Sequence, residues 1–358
     1  MKVFVFGIWG FPWIGGGAEK HSEELYPRLV NLGHDVTILT RTLYFPSYLG
    51  VKFKKIPYLN RSWSEVMSHS ILCSLYCLWK KPDVVHIHNM GACLLVPLLM
   101  VRGIKVILTI HSLNYLHKKW GHVARFVLNL CEGIGINFSH KIILVSKDLV
   151  KFLRDKYHRK MYLAFIPNGV NKAITVPPGL VLKKYDLEPK KYVLAIGRLT
   201  PEKEFPKLIQ AFKSIKRPDF KLVIVGNSVH KTEYSKRLLL NRSVNIVFTG
   251  FQCGKDLHEL FSNAGIFVSA SSIEGFPLVI LEALSYGLPV LASNIPPHRE
   301  MKLPHGRYFD GVGELALKID KLMEEGNTEE ERENFKNILI EKYNWEAITK
   351  QVGVIYEG

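Results

Sequence analysis

The chain has 358 residues, 47% hydrophobic and 22% charged, which suits two ordinary globular domains whose cores need no disulfide or metal staple. Its five cysteines, odd in number with no C-x-x-C and no zinc spacing, argue against a disulfide framework and read as thiols in a reducing compartment; no uncharged apolar run approaches the ~18–20 residues of a spanning helix, and no nucleic-acid module is visible. The net charge of +16 is lopsided, since residues 1–175 hold 23 Lys and Arg against 9 Asp and Glu while 176–358 hold 25 against 23, so an anionic membrane surface or an anionic acceptor is a candidate partner of the first half.

The opening stretch MKVFVFGIWGFPWIGGGAE has the look of a secretion signal. Gly7, Gly10, Pro12 and Gly15 to Gly17 interrupt it, however, and a helical pattern follows at once, so it reads as a first strand and loop. Strand-like runs recur with helical stretches between them at 2–7, 35–40, 51–58, 83–89, 105–111, 141–146 and 162–167. A second series occupies 192–199, 221–227, 245–251, 266–271 and 289–293. Many are continuous Val/Ile/Leu runs, as parallel strands covered on both faces are, and the alternation of strand and helix implies an α/β chain with doubly wound sheets. In the first half, 117–130 carries Trp120, Val123, Phe126, Val127 and Leu130 on one helical face, with Lys118, His122 and Arg125 mostly opposite. That face reads either as core or as a helix lying in a membrane interface. The stretch around 170–190, with three prolines and no period, reads as a linker. The acidic 324–333 reads as a solvated helix and turn.

Four motifs carry chemistry. Gly15, Gly16 and Gly17 stand between the first strand and an amphipathic helix, where glycine lets a backbone approach a phosphate; the same run reads equally as a simple turn. Arg198 and Lys203, in I-G-R-L-T-P-E-K, follow a strand end, the edge where open α/β sheets bind ligands. Such a pair can stabilise a diphosphate leaving group without a metal, although two solvated charges would look alike. Glu274 to Glu282 spell E-G-F-P-L-V-I-L-E. Pro277 suits the first helical position and Gly287 the stop. Glu274 is therefore expected in the loop before a short helix and Glu282 within it, with the N–H groups of Leu278 and Val279 free for an anion. His111 ends a buried strand and by itself reads as a core histidine. His86 and His88, two apart on a strand, read as structural, no third metal ligand being evident.

Taken in order across nearly the whole chain, these motifs resemble family 4 of the glycosyltransferases, retaining enzymes with the GT-B fold. The matching stretches are GGGAEKH at 15–21, Leu29 to Val36, P-D-V-V-H-I-H-N from Pro82, T-I-H at 109–111, I-P-N-G-V at 166–170, G-R-L-x-x-E-K at 197–203, V-G at 225–226, the spaced glutamates and a late N-W-E. The resemblance implies two Rossmann-like domains facing across a cleft: 1–172 with 344–358 on the acceptor side, a linker at 173–190, and a donor domain at 191–343. The final helix would cross back to the first domain. It further implies that Arg198 and Lys203 hold the diphosphate, Glu282 the ribose, and Glu274 with the backbone of Gly275, Phe276 and Pro277 the transferred sugar. Gly16 and Gly17 would close over the phosphates, with Gly226 also in the donor site. His111 would lie beside the sugar, and Phe251 and Gln252 near the base. The nucleotide-diphosphate sugar is then a co-substrate, the acceptor is a saccharide or a lipid-linked one, and no metal or other cofactor is expected. One departure is Glu204, where the family usually has glycine. A GT-B sugar-nucleotide epimerase and a non-catalytic or partner-dependent homologue remain alternatives; a nicotinamide dehydrogenase is disfavoured by the missing G-x-G-x-x-G.

Overall fold

The structure is a computed structural model that describes residues 1–12, 16–43, 45–59, 64–113, 121–157, 163–228 and 232–358. The chain divides into two compact units, 1–168 with 345–358, and 169–344.

The first unit is built on the strands β1 (Lys2–Phe6), β2 (Asp35–Thr40), β3 (Ser47–Tyr48), β4 (Val51–Lys55), β5 (Val84–Ile87), β6 (Lys105–Ile110), β7 (Lys141–Leu144) and β8 (Leu163–Phe165). They form one sheet in the order β3-β4-β2-β1-β5-β6-β7-β8, parallel except for the short β3–β4 hairpin. Its helices are α1 (Gly17–Asn31), α2 (Ser64–Lys80), α3 (Val96–Val101), α4 (His122–Phe138) and α5 (Lys147–Tyr157). The strands read as apolar runs because their side chains are covered on both sides. Val3, Val5, Ile38, Val84, Ile107 and Ile143 are buried in one core with Leu25 and Leu29 of α1.

The second unit begins at Gly169. Its elements are α6 (Leu180–Lys184), β9 (Tyr192–Ile196), α7 (Phe205–Ser214), β10 (Lys221–Val225), α8 (Glu233–Leu239), β11 (Ile246–Gly250), α9 (Gly254–Asn263), β12 (Ile266–Ser269), α10 (Leu278–Ser285), β13 (Val290–Ser293), α11 (Pro296–Arg299), β14 (Tyr308–Phe309), α12 (Val312–Glu325) and α13 (Glu329–Lys342). The sheet order is β11-β10-β9-β12-β13-β14, all parallel. The order therefore reverses between β9 and β12, at the point where doubly wound sheets open a crevice beyond their carboxyl ends. Within the stretch expected as a linker, residues 180–184 form α6. Glu259 of α9 caps it, its Oε1 accepting from the N–H groups of Gly179 (2.8 Å) and Leu182 (2.9 Å).

The last helix, α14 (Trp345–Glu357), belongs to the first unit. It packs on α1, where Arg28 Nε donates to Glu346 Oε1 at 3.1 Å. Trp345, Ile348, Val352 and Tyr356 enter the same core as β1 and β5. The helix around 117–130 begins, as described, at His122; residues 114–120, Trp120 among them, lie outside the described chain. Its apolar stripe does not enter the core, since Val123, Phe126 and Leu130 are exposed.

Candidate active site

In the second unit most of the expected residues gather at the carboxyl ends of β9 to β12. β9 runs out into Gly197 and Arg198, and a 3-10 turn at Pro201–Lys203 brings the chain back. Gly226 follows β10 with φ +140, and a Cβ there would stand 2.0 Å from the Gly197 carbonyl oxygen. Only glycine lets these two strand-end loops approach so closely. Leu199 N donates to Asn227 O at 3.0 Å and Gly226 N to Gly250 O at 2.8 Å, so the ends of β9, β10 and β11 are tied in series. Phe251 is exposed just beyond β11, and Gln252 Nε2 donates to Thr249 O at 3.0 Å.

Glu274 lies in the loop after β12, where Ser272 N donates to Glu202 O at 2.9 Å and fixes that loop to the 3-10 turn. Its carboxylate pairs with Lys203, Nζ to Oε1 2.5 Å, with the two side chains only 18% and 13% exposed. Burial opposes ionisation of Glu274, but the Lys203 ammonium and its hydrogen bond, helped by His298 and Ser271, outweigh it and hold the carboxyl below its usual value. Lys203 in turn arches over Gly197, whose added Cβ would meet its Cδ and Cε at 3.2 Å. Arg198 is exposed, and among the described residues its guanidinium has no hydrogen-bond or ion-pair partner. One cation is thus tied to the carboxylate beside it, and the other is free to meet an anion.

The spaced-glutamate helix departs from expectation in one respect. Pro277 is the N-cap of α10 and not its first residue, and the Leu278 N–H is taken by the Phe276 carbonyl at 3.0 Å. A tight turn at Phe276 has used one of the two donors expected to be free. Among the described residues the Val279 N–H has no backbone acceptor and remains available. Gly275 is buried, Phe276 packs its ring 5.9 Å from Tyr343, and Glu282 is half-buried on α10. His298, not foreseen, is fully buried after β13. Its Nδ1 lies 2.9 Å from the Ser293 carbonyl, and burial lowers its pKa.

In the first unit, Gly16 is the N-cap of α1 and Gly17 its first residue; Gly15 lies outside the described residues. Glu19 folds back over this N-terminus, and a Cβ on Gly16 would meet its Oε2 at 2.0 Å. Glu19 Oε1 accepts from Trp9 N at 3.3 Å. A carboxylate already occupies the positive end of α1.

His111, just past β6, stands in a cluster. Its Nε2 lies 2.8 Å from His88 Nδ1, and His88 Nε2 reaches the Tyr26 hydroxyl. His86 lies between the Tyr356 hydroxyl (2.7 Å) and Thr109 Oγ1 (2.7 Å). His21 Nδ1 donates to Asn168 Oδ1 at 2.6 Å, which leaves its buried Nε2 as a lone pair without a partner among the described residues. Burial makes all four rings hard to protonate, lowering His86 to about 3 and His21 to about 4 and His88 and His111 well below the usual value. His21, His88 and His111 present nitrogens within 4.8 Å of one another, so the third partner that the sequence does not reveal is supplied by α1. Neutral imidazoles suit a transition metal, but two ligands at ~2.0–2.1 Å from a tetrahedral ion sit about 3.3 Å apart. The 2.8 Å contact between His88 and His111 is that of a shared proton, and the cluster is a hydrogen-bonded network.

Two family models match the chain: "Glycosyltransferase Family 4" over residues 15–173 and "Glycosyl transferases group 1" over residues 182–342. A UDP-Gal:alpha-D-GlcNAc-diphosphoundecaprenol alpha-1,3-galactosyltransferase of Escherichia coli is 28% identical over 78% of this chain and 76% of its own. Among solved structures, a sucrose-phosphate synthase from Thermosynechococcus elongatus superposes with a TM-score of 0.82 at 20% identity, covering 99% of this chain and 98% of its own. An Anabaena protein in complex with UDP and glucose gives 0.80 at 16% identity, covering 100% and 99%. Among the described residues no helix is long and apolar enough to cross a membrane.

Proposed function

The two halves of the chain belong to Glycosyltransferase Family 4 and to Glycosyl transferases group 1, and from that premise we propose that it moves a sugar, with retention, from a nucleotide-diphosphate sugar to a hydroxyl of a saccharide or lipid-linked acceptor. The donor belongs to the second unit and the acceptor to the first. The observation that carries this reading is the pairing of a free Arg198 with a Lys203–Glu274 ion pair at the point where the sheet order reverses. The names of the relatives add a UDP-hexose as the first donor to try and a lipid diphosphate as the first acceptor. A lipid acceptor of this kind places the work on the cytoplasmic face of a membrane.

The bond between the sugar C1 and the diphosphate oxygen breaks while the acceptor oxygen bonds to C1 from the same face. The acceptor proton passes to the departing phosphate oxygen, which yields the nucleoside diphosphate. Arg198 and Lys203 face the growing negative charge, and the Val279 N–H adds a dipole, so the protein contributes positioning and charge stabilisation. Glu274 accepts from sugar hydroxyls once Lys203 turns toward the phosphate, and Gly275, Phe276 and Pro277 line the sugar. Glu282 takes the ribose, Phe251 and Gln252 the base. Gly226 keeps the strand-end loops close, Gly16 and Gly17 border the phosphates, and His111 offers the sugar a neutral hydrogen-bonding ring.

The test is incubation with UDP-, GDP- and ADP-hexoses in EDTA, following nucleoside diphosphate release and the anomeric signal of the product by NMR. Release in EDTA with a retained anomer is expected. An inverted anomer, a strict requirement for Mg²⁺ or Mn²⁺, or an epimerised nucleotide without transfer would overturn the proposal, and an inert chain with every donor would favour a non-catalytic subunit.

A further inference from the structure

Three helices of the first unit leave apolar stripes uncovered. On α2 the stripe is Leu72, Leu75 and Trp79, at spacings of three and four, and on α4 it is Val123, Phe126 and Leu130 at the same spacing. Between them α3, which packs against both α2 and α4, adds Leu98 and Val101. Trp79, Val101, Val123 and Phe126 are 71%, 85%, 75% and 71% exposed. Single exposed apolar residues need no explanation, but stripes on adjacent helices of one layer do.

The charge around these stripes is of one sign. Between residues 64 and 138 the sequence has seven Lys and Arg and three acids, Glu65, Asp83 and Glu132. Each acid is committed inside the unit. Glu65 faces Arg41 at 3.4 Å, Asp83 Oδ2 accepts from Lys2 N at 2.6 Å, and Glu132 Oε1, fully buried, accepts from Lys156 at 2.5 Å. Three of the cations lie at the α2 and α3 stripes. The Lys80 ammonium sits 3.8 Å over the Trp79 ring, Lys81 follows it, and Arg102 follows Val101.

We propose that the α2–α3–α4 face docks on an anionic lipid bilayer, with Trp79, Val101, Val123 and Phe126 entering the headgroup boundary and Lys80, Lys81 and Arg102 meeting the lipid phosphates. An apolar face rimmed by cations is what such an interface selects, and tryptophan beside lysine suits the headgroup level. A second copy of the chain is a poor occupant, because a two-fold contact would set the same basic rim against itself. Nucleic acid offers no apolar surface to the stripes. The inference deepens the proposed function, resting on its lipid-linked acceptor to give the docking a purpose.

The experiment is sedimentation with phosphatidylcholine vesicles, with and without phosphatidylglycerol, alongside donor turnover measured without lipid. Wild type is expected in the pellet only with the anionic vesicles, and in the supernatant at high salt. Trp79→Ser with Phe126→Ser should cut partitioning by more than about tenfold, and Lys80→Gln with Arg102→Gln should cut it less while flattening its salt dependence. Donor turnover should not change in either. Equal pelleting with both vesicle types, or binding untouched by the serine pair, would overturn the docking face while leaving transferase activity intact. Loss of nucleotide release with vesicle binding retained would instead sink the proposed function and spare the surface. A dimer in sedimentation equilibrium that the serine pair dissociates would make this face a self-interface and refute the bilayer.

Discussion

Beyond the carboxyl ends of its central strands, each unit builds a polar centre, and the two are opposite in kind. The second has a charged one, Lys203 paired to Glu274 at 2.5 Å with Arg198 left open. The first has four neutral imidazoles held by hydroxyls, an amide and one another. In the proposed reaction the charged centre is where the diphosphate would leave, and a fixed cation gains strength there as negative charge grows. In the same proposal the uncharged donors and acceptors of the first unit would face hydroxyls of the sugar and the acceptor. The same contrast runs through the titrating groups. Seven described histidines of the first unit have lowered pKa values, against His298 alone in the second.

The largest expected effect follows from that imbalance. A histidine whose folded pKa is depressed below 6.5 binds its proton more readily when unfolded. Its contribution is present above pH 6.5 and is lost as pH falls toward the folded value, about 4 for His21 and about 3 for His86. Each such ring removes about 1.4 kcal/mol per pH unit in that window. The first unit should therefore open first on acidification from pH 6.5 to 4, read by hydrogen exchange resolved along the chain. His21→Asn should lower the slope of its stability against pH by about one proton. The Glu274 carboxyl is depressed, so its contribution holds above the usual 4.5 and fails only as pH drops below that. Simultaneous opening of both units across that window would erase the distinction.

The charged centre is broken more locally. Arg198→Ala should lower kcat by about 10²–10³, or ~2.7–4 kcal/mol, since the proposed bonds from Arg198 to the diphosphate would strengthen in the transition state. An effect confined to KM would mean that Arg198 binds ground and transition states alike. Lys203→Ala should cost stability as well as rate. It leaves a nearly buried carboxylate without its counter-charge, a change worth about 3 kcal/mol where pairs are well buried. Lys203→Ala with Glu274→Gln should recover most of that stability and none of the rate. Full additivity in urea melts would show that the pair contributes nothing.

Parts of this contrast were legible in the sequence and parts were not, for physical reasons. Both series of strands stand out as Val/Ile/Leu runs because parallel strands are apolar on both faces. β3 and β14 are two residues each and carry no period. Arg198, Lys203 and Glu274 stand out because each lies in a local motif beside a strand end. The ion pair between Lys203 and Glu274 joins residues 71 apart, which no local pattern reports. Likewise His21 meets Asn168 across 147 residues, and Glu259 caps α6 from about 80 residues away, so a helix stands in a stretch that locally looks unstructured. The acceptor of the Leu278 N–H is not legible locally either, because it depends on the turn at Phe276. The face of α4 could not be decided from its spacing, since a stripe at helical period is the same whether a core or a bilayer covers it.

The smallest expected effect concerns Glu204, the residue that stands where the family usually has glycine. It joins the 3-10 turn carrying Lys203 to α7 with φ 50 and ψ 32, the left-handed region. An L-residue with a Cβ is strained there by ~1–2 kcal/mol, and part of the gain from glycine is offset by its freer unfolded chain. Glu204→Gly should therefore stabilise the second unit by about 1 kcal/mol, a rise in Tm of roughly 2–4 °C. It also removes a negative charge one residue from Lys203, so the donor KM should fall slightly at low salt. Glu204→Ala separates the two causes, since it removes the charge and keeps the strain. The alanine variant should match glycine in KM and wild type in Tm. Equal Tm gains for alanine and glycine would assign the whole effect to charge and leave the left-handed backbone without a cost.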